Sequence, residues 1–217
     1  MTDRPSYILF ITDQQRYDHL GCNGHPVLRT PNIDQIAQQG VSYDRFYVAS
    51  PVCTPNRASL MTCRMPSSHG SRSLGVPLSH DNVTFVELMR AAGYDTALIG
   101  KSHLQNVSDW DVQIEKTEHR EGFAAPPKEL AEAIRSDLDN ETYQYERQKF
   151  YNREGAEVPL PFYGFDHYVS VMRHGFNTGG DHQRHVEAKR AGLEDTCHQR
   201  VIVEDAPLAL RERPRKQ

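Results

Sequence analysis

The hydrophobic pattern of the first hundred residues switches repeatedly between two periods. Tyr7-Ile8-Leu9-Phe10-Ile11 is a short apolar run ended by Thr12, which predicts a buried strand over 7–12. Ile33, Ile36 and Ala37 recur at i, i+3 and i+4 and predict an amphipathic helix. Thr30 stands at its cap, Pro31 at its first position and Gly40 beyond its end. Residues 41–48 read as a second extended segment. Thr54-Pro55 repeats the cap-then-proline signal and opens a helix running through Leu60-Met61. Thr84-x-x-Glu87 is a capping box, and Phe85, Leu88, Met89 and Ala92 form the apolar stripe of its helix, which stops at Gly93. Residues 96–99 and 165–172 read as strands, and 181–191 as a helix closed by Gly192.

Between these elements, residues 105–160 are rich in charge and broken by Pro126-Pro127, with 128–151 reading as one polar helix. This stretch is expected to be an insertion covering the site from outside. Residues 197–217 show no periodicity and form an irregular tail behind a domain spanning 1–196. Alternating strand and helix predict an α/β fold with a mostly parallel central sheet flanked by helices. In such sheets ligands gather beyond the carboxyl ends of the strands. The first strand delivers Asp13 there; the strand at 96–99 delivers Lys101 and His103.

Composition narrows the function. The 217 residues suffice to bury a core. Lys+Arg 25 against Asp+Glu 29 gives a net charge of −4, which argues against a phosphate-neutralising nucleic-acid binder. No apolar run approaches the roughly 18 residues of a membrane span, and the short opening run is no signal-peptide core. A cytoplasmic chain is expected. Its four cysteines, Cys22, Cys53, Cys63 and Cys197, are then thiols rather than disulfides. Ten residues along a helix would separate Cys53 from Cys63 by about 15 Å, beyond disulfide reach.

The informative segment is Cys53-Thr54-Pro55-Asn56-Arg57. A cysteine at the start of a helix faces unpaired backbone N–H groups and the positive end of the helix dipole. Arg57, one turn in, adds a planar fork of donors at the same end. A nucleophile beside an anion-binding pocket results.

Cys-x-Pro-x-Arg followed by Ala58-Ser59-Leu60-Met61-Thr62 resembles the signature of the type I sulfatases, the formylglycine-dependent branch of the alkaline phosphatase superfamily. The resemblance also takes in Ile11-Thr12-Asp13-Gln14-Gln15-Arg16, Gly21-Cys22-Asn23-Gly24, Thr30-Pro31-Asn32-Ile33-Asp34 and Gly100-Lys101-Ser102-His103-Leu104. It covers residues 7–104 and extends more faintly to about residue 190. It implies an alkaline-phosphatase-like sandwich and hydrolysis of a small-molecule sulfate ester. It implies two cofactors. One is the formylglycine (3-oxoalanine) made from Cys53 by a formylglycine-generating enzyme; the other is a calcium, manganese or magnesium ion held by Asp13, Gln14 and residue 53. By the same resemblance Arg57 holds the formylglycine and the anion, and Lys101 and His103 contact the sulfate. A histidine further on, His182 or else His174, protonates the leaving group. Asp13-Gln14, where many relatives carry Asp-Asp, is similar to choline sulfatases and phosphonate monoester hydrolases, so a phosphonate monoester or phosphodiester substrate is the alternative. Thr62-Cys63 departs from the usual Thr-Gly and predicts a strained helix end. The family's distal metal ligands and second lysine have no counterpart in residues 190–217. The chain is therefore expected to be the N-terminal part of a sulfatase, incomplete at the C-terminus, and a non-catalytic fragment is the third reading. Nothing in the sequence sets an oligomeric state.

Overall fold

The computed structural model describes residues 4–108, 138, 140–173 and 179–190. Two compact units divide at Tyr47 and Val48, and each is described by itself.

In the first unit the helix α1 (Pro31–Gln39) forms as predicted, with proline at its start. Thr30 stands at its N-cap, but its side chain makes no capping bond. Its hydroxyl accepts the Gly21 amide at 2.8 Å and donates to the Asp34 carboxylate at 2.7 Å. Asp34 also accepts the Cys22 amide at 2.8 Å. The turn at Gly21–Asn23 is thereby fastened to α1. A Cβ at Gly21 would lie 2.4 Å from the Asp34 carboxylate, so this contact requires glycine. The strands expected over 7–12 and 41–48 are not formed. A strand exists only through the ladder of a neighbour, and among the described residues neither segment has one. Their apolar side chains stand exposed, from 44 % at Ile11 to 84 % at Tyr47.

The second unit carries α2 (Cys53–Thr62), α3 (Pro66–His69), α4 (Phe85–Ala91), β1 (Ala97–Gly100), α5 (Gln148–Tyr151), β2 (His167–Met172), β3 (Gly179–Gly180) and α6 (Asp181–Arg190). The class is α/β, and the sheet is small and mixed. β1 and β2 are parallel with Ala97 opposite His167; β2 and β3 are antiparallel with Val171 opposite Gly180. α4 is capped as the sequence predicts. The Thr84 hydroxyl accepts the Glu87 amide and Glu87 returns a bond to the Thr84 amide. The Thr84 hydroxyl also donates to the Tyr163 carbonyl at 3.0 Å, which ties this cap to the far end of the core.

The core joins Ala58 and Met61 of α2 to Leu78, Val86, Leu104, Phe162, Tyr163 and Phe165. A second cluster, Phe150, Tyr151 and Met172, lies under α5 and β2. Residues 140–151 correct the expectation of one long polar helix. They form a short turn at Glu141–Tyr143 and the single turn of α5, with Tyr143, Glu146, Phe150 and Tyr151 buried. The charges here hide three buried aromatic rings that drive the segment inward. Residues 128–137, the start of that expected helix, lie outside the described residues, as do Gly192 and Cys197.

α2 begins one residue earlier than its sequence signal, at Cys53, with Val52 at the cap and Thr54 buried inside the first turn. Although rich in polar residues it is buried over most of its surface, so its polar groups need partners. The Thr62 hydroxyl bonds back to the Ala58 carbonyl at 2.8 Å. Ser59 meets the His69 Nε2 at 2.9 Å. His69 Nδ1 accepts the Ser71 amide, which leaves the ring proton on Nε2 to donate to Ser59.

Two predictions follow from α2. Its last cap, Cys63, sits at φ 56°, in the left-handed region where a Cβ is strained. Cys63→Gly should raise stability by about 1 kcal/mol, read as a higher urea midpoint at constant slope; a lower midpoint would refute the strain. Burial lowers the His69 pKa below its ordinary value. The folded state therefore resists a proton that the unfolded state takes up below about pH 6.5. Stability is full above that pH and falls as pH drops toward the folded-state pKa. Urea midpoints at several pH values should show this acid slope flattened in His69→Gln, and an equal slope in both proteins would contradict it.

Candidate functional site

α2 and the end of β1 bring together three of the residues picked out by the sequence. Cys53 opens α2, half-buried and with a free thiol. Asn56, at the first closed turn, bonds to the Val52 carbonyl at 3.0 Å. Arg57 lies four residues after Cys53, which places it on the same helix face, and it is 8 % exposed. Its Nη1 donates to the Lys101 carbonyl at 2.5 Å. This bond joins the start of α2 to the residue immediately after β1. A guanidinium suits the task, since one N–H can hold a carbonyl while the rest of the planar fork serves an anion.

Beyond β1 the chain does not continue as strand, so Lys101 and His103 are not related by strand alternation. Lys101 is half-buried; Ser102 through Asn106 are buried. His103 has φ 51°. A non-glycine residue held there costs on the order of 1–2 kcal/mol, and such residues gather at functional sites.

The buried segment has a partner that the sequence did not disclose. The Glu146 carboxylate accepts the His103 amide at 2.6 Å, and also the Gln105 amide and the Ser102 hydroxyl. Burial pushes the Glu146 pKa up, and the bonds from Ser102 and the backbone amides oppose that shift. Gln105 closes the circle, donating to the Thr142 carbonyl at 2.9 Å and accepting the Tyr145 amide at 2.9 Å. No periodicity marks Glu146: it stands in Tyr-Gln-Tyr-Glu-Arg, where a carboxylate reads as solvated surface.

His182 is exposed at the second position of α6 and makes no side-chain hydrogen bond among the described residues. The neighbouring Asp181 carboxylate accepts the Ser170 amide at 2.9 Å and fixes the start of that helix to β2. His174 lies outside the described residues.

Asp13 and Gln14 belong to the first unit. Both are exposed, and Gln14 has φ 55°. A carboxylate and an amide oxygen are the donors a hard cation prefers, but calcium takes six to eight oxygens. Among the described residues no group of three or more His, Cys, Asp or Glu side chains assembles. The pair fits such an ion in kind, and two side chains would provide only a part of that number.

The comparisons with known proteins agree with the sequence motifs. A family model described as Sulfatase matches residues 5–156. The chain is 43 % identical over 112 residues to the steryl-sulfatase of Homo sapiens, covering 46 % of this chain and 19 % of that protein. It is 42 % identical over 108 residues to arylsulfatase A of Homo sapiens, covering 46 % of this chain and 21 % of that protein. The matched stretch thus spans about a fifth of the length of these relatives. The crystal structure of Ps i-CgsB in complex with k-i-k-neocarrahexaose superposes with a TM-score of 0.48 at 24 % identity, covering 82 % of this chain and 31 % of that one. The family match takes in well over half of the residues, together with Cys53, Arg57, Lys101 and His103, and the chain belongs to the sulfatase family.

Proposed function

We propose that the intact protein hydrolyses sulfate esters at a centre formed by the first turn of α2 and the segment after β1. The observation that carries this reading is the Arg57–Lys101 bond, which locks the Cys53 helix to the loop bearing Lys101 and His103. In this reading a formylglycine-generating enzyme converts Cys53 to formylglycine, whose hydrate, formed by addition of water to the aldehyde, would supply the hydroxyl nucleophile toward sulfur. Asp13 and Gln14 offer the oxygen donors that a divalent cation prefers, and such a cation would supply charge neutralisation.

The chain's own residues do the rest. Arg57 orients the sulfate group with N–H donors fixed to the helix, so that little reorganisation is needed as charge builds. The Lys101 ammonium neutralises charge on the sulfate oxygens. His103, held in its unusual backbone conformation, takes a proton from the nucleophilic side, and His182 gives one to the departing oxygen. The substrate is a small-molecule sulfate ester. Asp13-Gln14 favours, as second reading, the same apparatus acting on a phosphonate monoester or phosphodiester.

Two measurements test this reading. Produced with a formylglycine-generating enzyme, the peptide containing residue 53 should be about 18 Da lighter than its cysteine form and should react with a hydrazide, as expected for a thiol turned aldehyde. Cys22 and Cys63 should stay thiols. A thiol at 53 under those conditions would sink the proposal. In the active protein, Lys101→Ala should cost at least about 100-fold in kcat on an aryl sulfate, the scale of losing one transition-state donor. Near-normal turnover in that variant would remove Lys101 from the site, and faster turnover of an aryl phosphodiester than of the aryl sulfate would favour the second reading.

A further inference from the structure

The active loop leaves the sheet where its hydrogen bonding runs out. The pairing of β1 with β2 ends at Gly100 opposite Ser170. The residues that follow are buried, and a buried amide without a partner costs about as much as a lost hydrogen bond. The donors of this stretch converge on one group instead. Glu146 Oε1 accepts the Ser102 hydroxyl and the His103 amide, and Oε2 accepts the Gln105 amide. The Tyr168 hydroxyl, 2.7 Å from Ser102 Oγ and 3.4 Å from Oε1, completes the cluster from β2.

Glu146 is 1 % exposed, a costly place for a carboxylate unless every lone pair is used. The residue type is explained by what it faces. An ionised carboxylate is acceptor-only, whereas the isosteric amide of glutamine would turn two N–H donors toward a backbone N–H. The shape imposed on the loop is uncommon. His103 is held at φ 51° between two amides gripped by the same carboxylate, His103 N and Gln105 N. The Leu104 carbonyl between them accepts the Leu78 amide at 2.8 Å, so the grip is fixed to the core.

We propose that Glu146 is a positioning residue for this centre: by gathering Ser102, His103 and Gln105 it sets the backbone that presents Lys101 and His103 to the substrate. It touches neither the nucleophile nor the ester and acts through His103. A role in bulk stability alone would lower the amount of folded protein and leave each folded site at full rate. A positioning role lowers the rate per folded site, and it loses its target once His103 is gone.

The inference rests on the sulfatase reading, and its test separates the two. In the intact protein, Glu146→Gln should lower kcat on an aryl sulfate about 10- to 100-fold per aldehyde-bearing folded site, with KM within about threefold. In a His103→Ala background the same change should cost no more than about twofold further. A wild-type kcat in Glu146→Gln, or equal fold-losses in both backgrounds, overturns the proposal. Should Glu146→Gln not fold, Ser102→Ala removes one donor and keeps the carboxylate. Its expected loss is about 3- to 10-fold, again absent in the His103→Ala background, and additive losses overturn the proposal as before. If the wild-type protein hydrolyses no aryl sulfate, the sulfatase reading fails by itself and amide hydrogen exchange decides the positioning claim. Exchange at His103 and Gln105 that quickens at least about tenfold in the variant, with α4 unchanged, supports it. Unchanged exchange at both amides overturns it.

Discussion

The second unit depends on one constraint: a guanidinium buried at the start of α2 must find acceptors, and one of them is the Lys101 carbonyl. The bond spans 44 residues of sequence. It fixes the helix that carries Cys53 against the exit of β1, where the chain abandons its strand. Charge-assisted bonds of this kind are stronger and shorter than neutral ones. Losing one partner inside a protein costs more than the bond contributes, because the other is left unsatisfied. The site and the fold therefore share a fastening, and a change that frees Arg57 disturbs both.

Around that fastening the interior is unusually polar. α2 meets the core through Ala58 and Met61, while Arg57, Ser59 and Thr62 on the same helix are buried with hydrogen-bond partners. The next layer repeats the solution with Glu146, whose carboxylate takes the place of the missing strand beside residues 102–105. Buried polar networks contribute little net stability compared with apolar packing of the same volume. They do select one backbone arrangement, because each alternative leaves a donor or acceptor bare. The proposed centre, which would hold a nucleophile, an anion and a proton carrier in register, would gain from that selectivity. The apolar clusters of Leu78, Leu104 and Phe162, and of Phe150 and Met172, supply the driving force on either side.

The parts of this arrangement legible in the sequence are those written in local signals. Thr84 and Glu87 announce their capping box, Pro31 and Gly40 bracket α1, and Cys63 forecasts its left-handed strain. The placing of Cys53 and Arg57 on one helix is legible because it depends on spacing, a local property. Tyr7 to Ile11 misled, since an apolar run states only that a strand could form and strand pairing is non-local. Glu146 was illegible for the opposite reason: its acceptors serve donors more than 40 residues away, and nothing near it in the chain records them. The polar helix expected through residue 151 failed because charge counts outweighed Tyr143, Phe150 and Tyr151, which fold the segment inward.

The central geometric claim is that the first turn of α2 and the segment after β1 form a single anion site. A crystal structure of the intact, formylglycine-bearing protein with inorganic sulfate bound measures it directly. The sulfate should lie within hydrogen-bond distance, about 2.7–3.2 Å, of both the Arg57 guanidinium and the Lys101 ammonium, beside residue 53, with Arg57 still bonded to the Lys101 carbonyl. Sulfate bound elsewhere, or an Arg57 turned away from the segment after β1, would contradict it.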